Sequence, residues 1–469
     1  MLKHPTLVLV TLMMGTSMAA IDSSIVNVSL PVIRHQFNVN LDEVEWVITA
    51  YMISFTLFIP LITWLKNRVG YFYLYIGSVA VFTIGSLLCS LSHSLDLLVA
   101  ARVLQAMGGG AVTPTSLAIL SESFPEEKRG SVIGWWGLGN VIGPAIGPTL
   151  GGVLTQYFGW ESVFYVNIPI GIATIIMSYR YLNFLRDRPW TPTTFDFRGF
   201  AWLSLFIVSL QYAISTISKH GQVAATIAGC AATILFLRLF IRSARGNAQP
   251  LLDLTVFRSA NFVYSAIIVI IRSIGLFGGV FFLPFLLQGL LGYTTLQSGL
   301  LLLPNALMML VARPYAGRKA DEGLIRNISV LGIFLLAISM YLFARIDVGT
   351  TVWLIILPMV IRGLGISFLV APVSTALLNA VTRDQTSTAT SLNSLLQQLG
   401  GSIGIAVFGV LHQLIYTHYL HKGYVQPLAE HYALQDGFFV SAIVVGLALI
   451  PAIRLPQRRV VRVTEKTAS

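Results

Sequence analysis

Charge is what this sequence lacks. Only 10% of its 469 residues are Asp, Glu, Lys or Arg, against roughly 25% in a soluble globular domain. So few charges cannot clothe a water-facing surface, and lipid must replace water over most of the exterior. Cysteine is scarce too. Cys89 and Cys230, the two present, lie inside apolar runs and read as buried spectators, with no disulfide framework and no zinc spacing. A phosphate-binding Gly-Lys-Ser/Thr loop is missing, and the connectors leave no room for a nucleotide domain, which argues against ATP-driven transport. His4, His35, His93, His220, His412, His418, His421 and His431 fall near the ends of apolar runs or in connectors. They make no nucleophile–base cluster and no metal set, so a membrane enzyme is disfavoured.

Apolar length is what the chain has instead. Hydrophobic residues make up 55% of it, and the mean hydropathy is +0.77. A helix needs about 20 residues to cross ~30 Å of hydrocarbon. Runs of that length lie near 7–33, 43–65, 70–92, 95–121, 130–157, 161–184, 199–218, 222–243, 258–290, 296–316, 326–345, 350–378, 386–416 and 436–455. The expected fold class is therefore an all-α integral membrane protein of fourteen transmembrane helices. The first run passes Met18-Ala19-Ala20, which would suit signal-peptide cleavage. It continues to Pro31, far beyond a signal h-region, and so reads as a retained span.

A net charge of +11 would suggest nucleic acid in a soluble chain. Here the basic residues sit in short connectors. Lys66, Arg68, Lys128, Arg129, Arg180, Arg186, Arg318, Lys319 and Arg326 share the side of the termini, together with Arg313 at the end of its run. Arg34, Lys219, Arg345 and Lys422 lie opposite. This asymmetry places both termini in the cytoplasm and leaves no role for nucleic acid.

The chain also repeats itself. Val112-Thr113-Pro114-Thr115-Ser116 returns as Val370-Ala371-Pro372-Val373-Ser374, and each copy follows an intramembrane arginine, Arg102 or Arg362. Lys66-Asn67-Arg68-Val69-Gly70 has a counterpart in Gly317-Arg318-Lys319-Ala320-Asp321. These repeats imply two pseudo-symmetric six-helix bundles in the same orientation, 1–188 and 256–456. Two inserted helices, 189–255, lie between them, and a basic cytoplasmic tail, 457–469, follows. A binding cavity is expected at midplane between the bundles.

The residues resemble the major facilitator superfamily, in particular its fourteen-helix drug:proton antiporter branch of EmrB/QacA type. Ile21-Asp22-Ser23-Ser24-Ile25-Val26-Asn27-Val28-Ser29-Leu30-Pro31 looks like the first-helix signature of that branch. Arg102-Val103-Leu104-Gln105-Ala106-Met107-Gly108 is similar to R-x-x-Q-G-x-G, with Ala106 in place of the first glycine. Gly139, Gly143, Pro144, Gly147 and Pro148, leading into Gly151 and Gly152, resemble the antiporter motif. The loop motif G-x-x-x-D-x-x-G-R-K/R is degraded in its first copy, where Thr63 and Asn67 hold the Gly and Asp positions and Arg68 and Gly70 remain. Its second copy, with Gly317, Arg318 and Asp321, is better preserved, so the resemblance assigns more of the gating to it. The resemblance implies proton-coupled export of amphipathic small molecules from a bacterial cytoplasmic membrane, with protons as coupling ion and no other cofactor. The protein would work as a monomer, or with a periplasmic adaptor and an outer-membrane channel.

Asp22 is the acidic residue deep inside an expected span, about eleven residues from the outer end of its run, or roughly 16 Å. An ionised carboxylate there costs at least ~2.5–3.5 kcal/mol. Burial favours its neutral form and a nearby arginine its charged form. A group so balanced can hold a proton in one state and release it in another. Arg102, Arg272 and Arg362 are the other costly residues, and the expectation is that Asp22 pairs with Arg102 or Arg272 when charged. Glycine at every fourth position over 139–151 allows close helix approach, and Pro144 and Pro148 add kinks, which suits a switching element. Gln105, Tyr51, Phe55, Trp135, Phe281, Gln288, Asn305, Asn393 and Gln397, with Arg362, are candidate lining of a greasy pocket with few polar contacts. One carboxylate against these arginines does not suit divalent cations. Hydrophobic monocations, neutral amphiphiles and organic anions all remain open, as does proton-coupled uptake.

Overall fold

Lipid offers no water to pair a bare N–H or C=O, so apolar runs of this length must form helices or a closed barrel. In the computed structural model, which describes residues 4–39, 41–44, 46–186, 194–217, 223–247 and 249–456, they form helices, with no strand among the described residues. In chain order these are α1 (Pro5–Phe37), α2 (Leu41–Val44), α3 (Trp46–Phe58), α4 (Leu61–Ser90), α5 (Leu95–Ser123), α6 (Arg129–Trp136), α7 (Gly139–Phe158), α8 (Ser162–Tyr165) and α9 (Asn167–Tyr181). An inserted hairpin follows, α10 (Phe197–Ile217) and α11 (Val223–Gly246). Then come α12 (Ala260–Pro284), which runs into a π-helical turn at Phe285–Leu290, α13 (Thr295–Asp321), α14 (Ile325–Phe343), α15 (Val352–Asn379), α16 (Thr386–His421), α17 (Gln426–Leu447) and α18 (Leu449–Ile453).

Twelve helices among the described residues are long and apolar enough to cross a membrane, against the fourteen expected. The expected spans near 43–65 and 130–157 are the ones not among them. The first is divided between α3, which has 13 residues, and the start of α4. The second is interrupted between α6 and α7. Gly70 breaks α4 internally with a φ of 74°, a left-handed conformation that glycine adopts without a Cβ penalty. The segment Gly317–Asp321, read from sequence as a connector, is instead the last turn of α13. Cys89 is buried as expected, but Cys230 is exposed on α11, because the inserted hairpin buries little of itself. The chain around 188–189 and the tail 457–469 lie outside the described residues, as do the side chains of Pro144 and Pro148 and the connector residue Lys219.

The packing repeats as the sequence does. α1 lies on α7 as α12 lies on α16; α4 pairs with α5 and α9 as α14 pairs with α15 and α17. The halves meet where α13 packs on α6 and α7 and where α16 packs on α5 and α4, while α10 touches both α3 and α16. Glycine makes the tightest seams. A Cβ on Gly143 would strike the backbone carbonyl of Ala20, one on Gly147 the Ser24 side chain, and one on Gly151 Ile25. Ser24 Oγ closes the same seam by donating to the Gly143 carbonyl at 2.8 Å. Gly152 has open space around it, so close packing explains four of the glycines at 139–152 but not that one.

Gly143→Val is therefore expected to destabilise the protein by about 1–3 kcal/mol through overpacking against a backbone that cannot yield. Gly152→Ala, in open space within a helix, is expected to hold or slightly raise the unfolding temperature. Thermal unfolding of the purified protein in detergent compares the two.

Candidate functional site

Asp22 is fully enclosed in the N-terminal half, where α1, α4, α5 and α9 converge. Arg102 Nη1 meets its Oδ2 at 2.6 Å. Its Oδ1 accepts from Gln105 Nε2 at 2.7 Å and from Asn167 Nδ2 at 2.8 Å. Both amides also donate to Ser86 Oγ, at 2.7 and 3.2 Å. The spacing of Arg102 and Gln105, three apart on α5, sets both on one face, and Arg102 Nη1 donates to Gln105 Oε1 at 2.6 Å. Arg102 Nε reaches the Val47 carbonyl at 3.3 Å, and its guanidinium lies 3.9 Å from the centre of the Tyr51 ring. Phe55 continues that aromatic surface, 5.9 Å from Tyr51. Asp22 is 0% exposed and Arg102 1%. Each carboxylate oxygen thus receives N–H donors, and the buried anion is fully compensated.

A second feature joins the two halves at the C-terminal end of α13. Asp321, the last residue of α13, accepts from the backbone N–H of Gly130 at 2.6 Å and of Ser131 at 2.7 Å. These are unpaired amides in the first turn of α6, so a carboxylate caps a helix N-terminus across the seam. Arg129 Nη1 donates to Asn379 Oδ1 at 3.0 Å nearby, and Arg313 Nη1 donates to the Gly137 carbonyl. Gly317 is needed here because a Cβ would strike the Gly130 carbonyl. Arg318 points outward and is exposed. In the first copy of the motif, Arg68 is exposed and stacks over Trp64 at 5.7 Å, and no such cap is present among the described residues.

The remaining expected residues divide. Asp22 pairs with Arg102 and not with Arg272, which instead donates from Nη2 to Gln397 Oε1 at 3.2 Å. Arg362 is buried on α15, and Asn393 on α16. Asn305 contacts Met309 Sδ at 3.7 Å, and Phe281 packs on Phe285 at 5.3 Å. Trp135 and Gln288 are exposed, while the neighbouring Trp136 is buried and donates to Thr16 Oγ1 at 3.1 Å. Sequence reasoning missed Asn167 and Ser86. Asn167 was signalled only as an amide in an otherwise apolar run. Arg313, read from sequence as lying at a span end, is buried on α13.

A profile of the Major Facilitator Superfamily matches residues 12–405. The chain belongs to that superfamily. Among its relatives, a multidrug resistance protein B homolog of Mycobacterium tuberculosis strain H37Rv is 32% identical over 86% of this chain and 76% of its own length. The riboflavin transporter RibZ of Clostridioides difficile is 29% identical over 96% of this chain and 97% of its own. The crystal structure of the human organic anion transporter MFSD10 superposes with a TM-score of 0.67 at 14% identity, covering 96% of this chain and 99% of that one; this likeness shows the fold. The protein is a multi-pass membrane transporter with the major facilitator fold.

Arg102→Leu is expected to cost about 3–5 kcal/mol, because it strands a buried carboxylate. The double variant Asp22→Asn/Arg102→Leu should recover most of that loss, read from thermal unfolding in detergent.

Proposed function

We propose that this major facilitator protein is a proton-coupled antiporter that exports amphipathic small molecules by alternating access. Its setting is the cytoplasmic membrane of a bacterium, with both termini cytoplasmic. The observation that carries this reading is the Asp22–Arg102 pair: a charge pair fully enclosed within one bundle, where a proton and an arginine compete for one carboxylate. Protonation of Asp22 removes the attraction and leaves Arg102 held by Gln105, the Val47 carbonyl and the Tyr51 ring. Asp22 has no exposed surface in this conformation, so a proton reaches it only when helices part. Proton binding and bundle movement are then linked, since each favours the state that the other requires.

Asp321 supplies the other end of the cycle. Its cap on α6 latches the halves on the side assigned to the cytoplasm, and breaking two charge-assisted hydrogen bonds is the local cost of opening there. Fourteen crossings fit this scheme, with residues 1–188 and 256–456 as the moving bundles and 189–255 as an insertion beside both. The break at Gly70 lets α3 with the first turns of α4 make one crossing and the rest of α4 the next, and α6 with α7 supplies another. The multidrug resistance relative supports a broad amphipathic substrate range; a riboflavin transporter stands at a similar distance.

Asp22→Asn is expected to abolish efflux driven by a proton gradient in inverted membrane vesicles, while folding and membrane insertion persist. Undiminished, protonophore-sensitive exchange by that variant would end the proposal. Asp321→Asn should slow exchange by about tenfold and increase the separation of spin labels on α6 and α13, a distance measurable by pulsed electron resonance. Labels that stay together would remove Asp321 from the gate.

A further inference from the structure

The C-terminal bundle repeats the scaffold of the Asp22 site with its charge changed. Gly143 of α7 faces the Ala20 carbonyl of α1, and Gly400 of α16 faces the Ile270 carbonyl of α12. Asp22 stands one step of two residues beyond the first contact, and Arg272 the same step beyond the second. An arginine thus occupies the place that aspartate holds in the other half. α15 carries a further buried arginine, Arg362. One bundle sets a guanidinium against a carboxylate at 2.6 Å; the other puts a guanidinium in the place of that carboxylate. Arg313 on α13 adds a further cation, close enough to Arg272 for the like charges to repel.

Nothing among the described residues balances this charge. Arg272, Arg362 and Arg313 are 3%, 5% and 6% exposed, none pairs with a carboxylate, and the Nε of each lacks a hydrogen-bond partner. A buried cation with no counter-anion is destabilising, and one within a membrane bundle marks a ligand path. The cluster also reaches the seam between bundles. Arg313 donates to the Gly137 carbonyl of the opposite half, and α16, which carries the Gln397 bound to Arg272, packs on α5. Beyond Arg272, α12 presents Phe277 against Gly401 and then Phe281 against Phe285, where the helix widens into its π-helical turn.

We infer that the transported molecule is an amphipathic organic carboxylate. Its acid group supplies the missing counter-charge to Arg272, with Gln397 beside it and Arg313 adding positive potential. Arginine suits this task because its planar fork matches a carboxylate and it stays charged when buried. The inference rests on the transport reading above and narrows it from amphiphiles in general to anions.

The test uses the full-length protein in lipid nanodiscs with two probes of matched body and opposite charge, 1-naphthoate and 1-naphthylmethylammonium. Wild type is expected to bind naphthoate at least about tenfold more tightly than the cation, and to gain thermal stability from it. Arg272→Gln should be as stable as wild type or more so without ligand, since it removes an unbalanced cation. It should lose naphthoate affinity by about tenfold or more, with Arg272→Lys retaining part of it. Equal naphthoate binding by Arg272→Gln, preference for the cation, or a marked loss of ligand-free stability in Arg272→Gln would each overturn the inference. Proton-driven movement of the cation that Asp22→Asn abolishes would sink the anion site and leave the exchange reading standing. Naphthoate binding lost in Arg272→Gln, without proton-dependent transport in wild type, would do the reverse.

Discussion

A charge inside a lipid-embedded helix bundle has no water to fall back on, so the protein itself must answer it. Asp22 is answered completely: one guanidinium and two amides fill both oxygens, and the amides are held in turn by Ser86. Four helices of one bundle contribute to that arrangement, and their mutual positions are fixed by it as much as by apolar packing. Because the compensation is so complete, any change in the charge of Asp22 is felt by α1, α4, α5 and α9 together.

The two halves share a backbone plan but not a charge plan. Glycines of α7 and α16 bring these helices against α1 and α12 in equivalent ways, so the pseudo-symmetry is carried by close backbone contact, which tolerates change in the side chains alongside. That tolerance lets one half hold a neutral pair and the other an excess of guanidinium. Motif divergence follows the same division of labour. Asp321 caps α6 across the seam, whereas Asn67 at the equivalent place in the first copy has no charge to offer a helix N-terminus.

Much of the fold was legible because lipid imposes helices of a known length. The near-continuous apolar runs left little choice of secondary structure, and the repeated Val112–Ser116 and Val370–Ser374 segments exposed the two halves. Misreadings arose where composition and geometry part. Cys230 sits in as apolar a run as Cys89, yet faces outward, because burial in a membrane protein depends on which helices surround a residue and not on its own hydropathy. Trp135 and Trp136 are neighbours of one type, and only the second is enclosed; helical periodicity turns them to different faces.

By itself the sequence determined the membrane class and the helical fold, and it marked Asp22 as a residue to be accounted for, because charge in an apolar run is costly wherever the helix goes. Tertiary structure alone decided that Asp22 answers to Arg102 and not to Arg272, that Asn167 and Ser86 complete the cage, and that Arg313 lies in the seam. Those outcomes depend on which helices are neighbours and how each is rotated. Contacts between residues as far apart as Asp22 and Asn167 leave no periodic trace in the chain.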